Sequence, residues 1–288
     1  MRPNQVTITT ASQSDCTLAL TISIVVYQSN LPRLARTLTS LCHSVVAMRS
    51  YRGEDVPVHV FIVDNGGLTA REPSGDLLEG FRIRCTTIQG NGNVGYGRGH
   101  NIAIERATSR YHLVLNPDVD VHFDAISNAL DFLETQPEVG LLAPQVVGGD
   151  GTMQYLCRRY PSVLVLFTRG FISRERRLLF GSHLSRYEMR DVINDREVVW
   201  DPPIVSGCFM LFRTEVLKQL GGFDPRYFLY FEDYDLSLRA HAVTRIAYVP
   251  TVRILHVGGG AARKGLAHIR MFIVSAFRFF NRFGWKLA

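Results

Sequence analysis

The strongest constraint on this chain is a run of alternating element types in its first half. Short, apolar, β-branched segments recur at Leu20–Tyr27 (LTISIVVY), Val58–Val63 (VHVFIV) and Tyr111–Leu115 (YHLVL). Each has the length of a strand buried on both faces. Between them lie segments with helical punctuation. Asn30 is placed to cap a helix with Pro32 in its first turn, running to about Ser50. Phe81–Ile88 and Val139–Ala143 add further strands, and helices are expected over 123–134 and from about Asn101 to Thr108. Strands alternating with helices build a mostly parallel sheet covered on both faces, so the expected fold class is α/β.

Beyond Val147 the alternation stops, and residues 150–197 are Arg-rich and irregular. Ile204–Phe212 then reads as a strand and Thr214–Leu220 as a short helix. A helix follows from about Glu232, then a strand over Arg245–Val249 and a helix over Leu266–Phe283. With no internal repeat and no low-complexity linker, the two halves are expected to share one sheet.

Composition narrows the classes. At 46% hydrophobic and 20% charged, the 288 residues can bury a sizeable core, which excludes a mainly disordered chain. No stretch reaches the roughly 18 apolar residues of a membrane span. The polar start has no signal-peptide stretch, so a loose leader and a cytoplasmic location are expected. The 5 cysteines form no CxxC, so reduced thiols are expected rather than a disulfide frame or a zinc site. The net charge of +6 is local. Residues 257–288 carry Arg263, Lys264, Arg270, Arg278, Arg282 and Lys286 with no acid, and the rest of the chain balances. A second basic stretch, 152–190, sets eight arginines against Glu175 and Glu188. Two patches point to an anionic surface or a phosphorylated ligand, not to nucleic acid.

Polar groups cluster where strands end, which is where open α/β sheets bind ligands. Asp64-Asn65-Gly66-Gly67 suits a nucleobase or ribose contact, and equally an Asx turn. Asn116-Pro117-Asp118-Val119-Asp120 offers two carboxylates to one hard cation, or a cap for the helix that follows. Gly90-Asn91-Gly92-Asn93-Val94-Gly95 matches G-x-G-x-x-G, but glycines run on to Gly99. The helix is therefore expected to start too late for a pyrophosphate, and a nucleotide-contacting loop fits better than a dinucleotide fold. Tyr230-Phe231-Glu232-Asp233 places acids beside aromatics, which suits a general base or simply a helix start. Asp235 and Arg239, four apart, read as a pair on the helix surface. His256 suits a metal or phosphate contact, or a structural role.

Taken together, the segments ISIVVYQSN, VDNGG, NVGYGRGHNIAI, VLNPDVDV, VGLLAP, IVSGCFMLFR, GGFDPRYFLYFEDYDLSLR and YVPTVRILHVGGG, followed by the basic aromatic tail, resemble family 2 inverting glycosyltransferases. Within that family they are most similar to bacterial O-antigen and cell-wall rhamnosyltransferases. The resemblance implies a GT-A fold: a leader over 1–19, a catalytic domain over 20–257 with a nucleotide-sugar half (20–148) and an acceptor half (149–257), and a basic C-terminal segment over 258–288. It implies that Tyr27, Asp64, Asn65, Asn93, Gly95, Asn101 and Asn116 hold the nucleotide sugar. Asp118, with Asp120 or His256, would bind magnesium or manganese. Asp233 would be the base with Glu232 beside it, and Trp200 and Gly207 would meet the acceptor. The expected reaction moves L-rhamnose from dTDP-rhamnose to a polyprenyl-diphosphate-linked saccharide. UDP-galactofuranose, UDP-hexose and UDP-N-acetylhexosamine are the alternative donors, and a non-catalytic sugar-nucleotide-binding subunit is the alternative of another class.

The tail has a further implication. Over 266–283, Arg270, Arg278 and Arg282 line one edge, and Leu266, Ile269, Ile273, Phe277 and Phe280 form an apolar face. Peripheral attachment to the anionic inner face of the cytoplasmic membrane is expected, against a plain core-packed helix.

Overall fold

The computed structural model describes residues 20–28, 30–68, 74–171, 181–256 and 265–288. The leader 1–19, Arg263 and Lys264 lie outside the described residues. The elements run β1 (Leu20–Val26), α1 (Leu31–Arg52), β2 (Val58–Asp64), α2 (Ser74–Gly80), β3 (Arg84–Ile88), α3 (Tyr96–Ile104), β4 (Tyr111–Leu115), β5 (Val119–Val121) and α4 (Ala125–Thr135). They continue β6 (Val139–Val147), β7 (Met153–Gln154), α5 (Val163–Phe171), α6 (Gly181–Tyr187), β8 (Val199–Trp200), β9 (Phe209–Arg213), α7 (Thr214–Gln219), α8 (Glu232–Ala240), β10 (Arg245–His256) and α9 (Leu266–Phe283). Among the described residues, no helix is long and apolar enough to cross a membrane.

One sheet spans both halves of the chain, in the order β3-β2-β1-β4-β9-β6-β10-β5. Strands β3, β2, β1, β4, β6 and β10 point the same way. Strand β9 runs against them between β4 and β6, so the second half is threaded through the centre of the first. The carboxyl ends of β1, β2, β4 and β10 thus open on one edge. After β4 the chain turns through Asn116–Asp118 into β5, which pairs antiparallel with the end of β10. That pairing sets Val119 opposite His256 and so brings Asp118 to the histidine.

Helix α1 shows how the sequence builds this frame. The Asn30 side chain accepts the Arg33 N–H at 3.1 Å, and Gly53 ends the helix at φ 66°. Leu34, Leu38, Leu41, Val45 and Met48, three or four apart, are buried in the main core against β1 and β2. Truncating a residue such as Leu41 to alanine costs about 2–5 kcal/mol. The opposite face of the sheet buries Leu217 of α7 and Leu236 of α8. A third, aromatic cluster joins α5, α8 and α9.

Several expectations are corrected. Helix α3 begins at Tyr96, not near Asn101, because Gly97 and Gly99 are packing positions rather than loop. A Cβ on Gly97 would lie 2.8 Å from Phe223, and one on Gly99 would lie 2.8 Å from Val25. Strand β10 runs through Pro250 to His256, because a register shift between Val249 and Arg253 absorbs the missing donor. The expected strand over 204–212 starts at Phe209, and Ile204 makes an isolated bridge to Arg158. The Asp235–Arg239 pair is present at 2.6 Å, but Asp235 is fully buried and also meets Arg282 of α9 at 2.7 Å.

Candidate active site

The shared strand edge forms a cleft of about 410 Å³. That is within the roughly 300–1,000 Å³ of small-molecule sites. Tyr27, Asn65, Asn93, Gly95, Asn116 and Asp118 line it, as the motifs imply. Asn30, Arg33, Tyr96, Phe228, His268 and Met271 also line it. The sequence motifs did not single these out for a site. Arg33 and Asn30 carry a helix start, and His268 and Met271 come from α9, whose packing no local pattern reveals.

The glycine-rich loop is tied down rather than loose. Asn93 accepts the Gly95 N–H at 3.2 Å, and Asn65 donates to the Gly95 carbonyl at 2.9 Å. Gly95 sits at φ 92°, and a Cβ there would come within 2.3 Å of the Phe228 carbonyl oxygen. That carbonyl accepts the Tyr96 N–H at 3.0 Å. The first amide of α3 is therefore spent on the protein. The helix starts early enough for the pyrophosphate contact of a dinucleotide fold, yet that donor points elsewhere.

Two backbone residues, Gly207 and Cys208, connect the site. The Cys208 carbonyl accepts the Asn116 N–H at 2.9 Å. The Gly207 N–H donates to Asp233 Oδ2 at 3.0 Å, and the Gly207 carbonyl accepts from Tyr96 Oη at 2.6 Å. One short segment thus fixes the strand end that carries Asp118, the helix that carries Asp233 and the start of α3 behind the glycine-rich loop. Burial, then the charges of Asp233 and Glu232, keep the Tyr96 hydroxyl protonated far above its ordinary range.

The two neighbouring acids are not equivalent. Burial, then the charge of Asp233, raises Glu232, whose Oε2 has no hydrogen-bond partner. Burial also raises Asp233, but the Gly207 and Tyr234 N–H groups bond to its carboxylate and oppose the rise. Both acids are thus harder to ionise than a free carboxyl, and the Gly207 and Tyr234 bonds favour the charge on Asp233.

Asp118 Oδ1 lies 3.5 Å from His256 Nε2. Burial opposes its ionisation, but the His256 hydrogen bond and charge and the Arg33 charge outweigh it, and Asp118 is held below the usual carboxylate range. His256 Nδ1 and Asn116 Oδ1 are buried without partners. An anionic oxygen, an imidazole and an unpartnered amide oxygen fit a hard cation completed by substrate phosphates. Among the described residues no set of three or more His, Cys, Asp or Glu forms a metal cage.

The chain matches the model of glycosyl transferase family 2 over residues 21–221. It belongs to that family. A relative from Mycobacterium tuberculosis, an N-acetylglucosaminyl-diphospho-decaprenol L-rhamnosyltransferase, is 29% identical over 252 residues, covering 81% of this chain and 74% of the relative. The Escherichia coli rhamnosyltransferase WbbL is 27% identical over 201 residues, covering 66% of this chain and 72% of WbbL. In structure the chain is similar to GalNAc-T7 solved with UDP, GalNAc and Mn2+, with a TM-score of 0.59 and 14% identity. That likeness covers 84% of this chain and 43% of the other, and carries the GT-A type α/β fold alone.

Four residues that the resemblance placed in this glycosyltransferase site stand differently in the structure. Asp64 lies just behind the cleft and accepts the Gly66 N–H at 2.8 Å, which is the Asx turn. Asn101 clasps the loop after α7, donating to the Phe223 carbonyl at 2.7 Å and accepting its N–H at 2.9 Å, so it braces α3 from behind. Asp120 points along β5 to Arg36 at 2.5 Å, which leaves His256 as the partner beside Asp118. Trp200, expected at the acceptor, pairs with Ala247 and packs on Phe132 beneath Arg245. Ala247 is on the same strand as His256 but roughly 25–30 Å of chain away.

Proposed function

We propose that this chain is an inverting glycosyltransferase that moves L-rhamnose from dTDP-rhamnose to a polyprenyl-diphosphate-linked saccharide in cell-surface polysaccharide synthesis. The observation that carries the reading is the Gly207–Cys208 segment. It holds the Asp233 carboxylate by a backbone N–H beside a cleft whose strand end presents Asp118 and His256. The Mycobacterium relative, named for a lipid-linked N-acetylglucosamine acceptor and a rhamnose donor, supports the substrate pair.

In this reading Tyr27, Asn65, Asn93 and Gly95 hold the nucleotide end of the donor, with Asn116 beneath the diphosphate. Asp118 and His256 would hold magnesium or manganese, which when bound neutralises charge growing on the leaving diphosphate. Asp233 takes the proton of the acceptor hydroxyl. That oxygen bonds to the anomeric carbon as the bond from carbon to phosphate oxygen breaks, with inversion. Glu232 stays protonated and keeps a second charge out of the site. Gly207 borders the acceptor side. The acid-free C-terminal segment holds the enzyme by charge to the inner face of the cytoplasmic membrane, where such acceptors reside.

The test is a donor panel with a synthetic N-acetylglucosaminyl-diphospho-lipid. Transfer from dTDP-rhamnose with inverted anomeric configuration is expected, and chelator should abolish it. Transfer only from UDP-galactofuranose, UDP-hexose or UDP-N-acetylhexosamine would replace the donor. Release from none of them would overturn the reading.

A further inference from the structure

Helix α9 has two apolar faces, and only one is used by the protein. Phe279 and Phe280 are buried, and Phe272 and Phe283 pack with them against Tyr160 and Phe231. On the outer side Leu266, Ile273 and Phe277 are 85%, 55% and 56% exposed. At 3.6 residues per turn these three lie within about 40° of one another along the helix. Trp285 extends the stripe. It meets Phe277 edge-on at 5.5 Å, stacks on Phe280 at 5.1 Å and remains 52% exposed. The Leu287 carbonyl accepts the Leu164 N–H at 3.1 Å, which pins the tail and leaves the Leu287 side chain outward.

The charges sort the same way. Arg278 donates to the Arg226 carbonyl, and Arg282 pairs with Asp224 and Asp235, so both are spent on the body of the protein. Arg270, within the stripe, and Lys286, beside Trp285, are exposed. No acid occurs between 257 and 288. A stripe of large apolar side chains set among cations alone matches an anionic bilayer. It does not match a second copy, which would bring two acid-free segments together.

We propose that Leu266, Ile273, Phe277 and Trp285 insert into an anionic lipid bilayer, with Arg270 and Lys286 at the level of the lipid phosphates. The inference deepens the functional reading, which needs only attachment by charge. It gives α9 a definite orientation, apolar stripe down. The first two turns of the same helix line the cleft through His268 and Met271. Docking therefore holds the cleft rim about one helix diameter, roughly 10–12 Å, from the lipid. A lipid-linked diphosphate could then reach the site without leaving the surface.

Trp285 provides the test, because the chain has 2 tryptophans and Trp200 packs on Phe132 elsewhere. The Trp200→Phe protein is mixed with phosphatidylcholine vesicles, with or without phosphatidylglycerol, carrying bromine on the upper acyl chain. Expected are a blue shift and bromine quenching of Trp285 with the anionic vesicles, part of which survives high salt. Ile273→Ser/Phe277→Ser should weaken partition by about tenfold or more and abolish quenching, with an unchanged melting temperature. Sedimentation with anionic vesicles that salt fully reverses, without quenching, would leave attachment by charge and overturn insertion. No sedimentation at all would overturn both. A dimer in light scattering that dissociates on Phe277→Ser would assign the stripe to a second copy. The donor panel is run without vesicles, so its failure is separate from any of these.

Discussion

At Asp233 and Glu232 two neighbouring carboxylates compete for one proton, and their hydrogen bonds decide the winner. Asp233 receives the Gly207 and Tyr234 N–H groups, whereas Glu232 Oε2 is buried without a partner and its carboxyl is opposed in its rise by its own backbone N–H alone. Asp233→Asn should therefore cut turnover by about 10²–10⁴-fold while donor binding, measured by calorimetry, survives. Glu232→Gln mimics the protonated acid and should keep most of the turnover. Because Glu232 is already neutral where Asp233 ionises, the acid limb of the pH–rate profile should stay near its wild-type position. A limb displaced by about a pH unit or more, or an inactive Glu232→Gln enzyme beside an active Asp233→Asn one, would reverse the assignment. Stability follows from the same shift. A carboxyl raised in the fold binds protons that the unfolded chain has released, so its contribution is lost as pH climbs from about 4 through the folded pKa. Glu232→Gln should be more stable than wild type at neutral pH, as denaturant titration would show. Both acids were legible in the sequence as a pair after an aromatic run. Which one keeps the proton was not, because Gly207, 26 positions away, decides it.

Helix α3 was the element least legible from sequence. Its glycines read as loop, but they are contact points, and the polar residues beneath them form a buried chain. Ser23 Oγ lies 2.7 Å from His100 Nδ1 and 2.9 Å from His112 Nε2, and Thr21 Oγ1 lies 2.8 Å from His112 Nδ1. Burial pushes both histidines down, His112 to about 3. A histidine lowered in the fold supports stability above its unfolded pKa near 6.5 and loses that support as pH falls toward the folded value. Between pH 6 and 4 each neutral buried histidine adds a slope of about 1.4 kcal/mol per pH unit, opposite in sign to that of Glu232. His112→Gln should remove one such slope, so its stability relative to wild type improves as pH is lowered through this window. A parallel pair of stability curves would mean that His112 is not buried neutral. The strand-and-helix alternation of the first half was readable because its signals are local. The antiparallel insertion of β9 between β4 and β6 was not, because partner choice across a sheet is a property of the whole chain.

Across the whole molecule, the last element holds the corner before the acid pair in an unfavourable shape. Tyr230 and Phe231, just before the acid pair, have φ of 71° and 66°. Bulky side chains avoid this left-handed region, and each such residue costs on the order of 1–3 kcal/mol. The corner survives because α9 grips it. Tyr230 Oη lies 2.8 Å from His268 Nδ1, and Phe272 packs at 5.7 Å from the Tyr230 ring and 5.2 Å from the Phe231 ring. The basic, aromatic tail was legible as amphipathic. That its inner face would reach back to the acids was not, since the contact spans some 40 residues. Phe272→Ala should loosen the corner and lower kcat while the donor KM, which the proposed reading assigns to Tyr27 and Asn93, stays near wild type. Assays well below the melting temperature separate this from unfolding, and Val274→Ala, an exposed position on the same turn, should leave kcat unchanged. If Phe272→Ala melts earlier yet turns over normally, or if kcat and donor affinity fall together, α9 is a prop for the fold and not a clamp on the base.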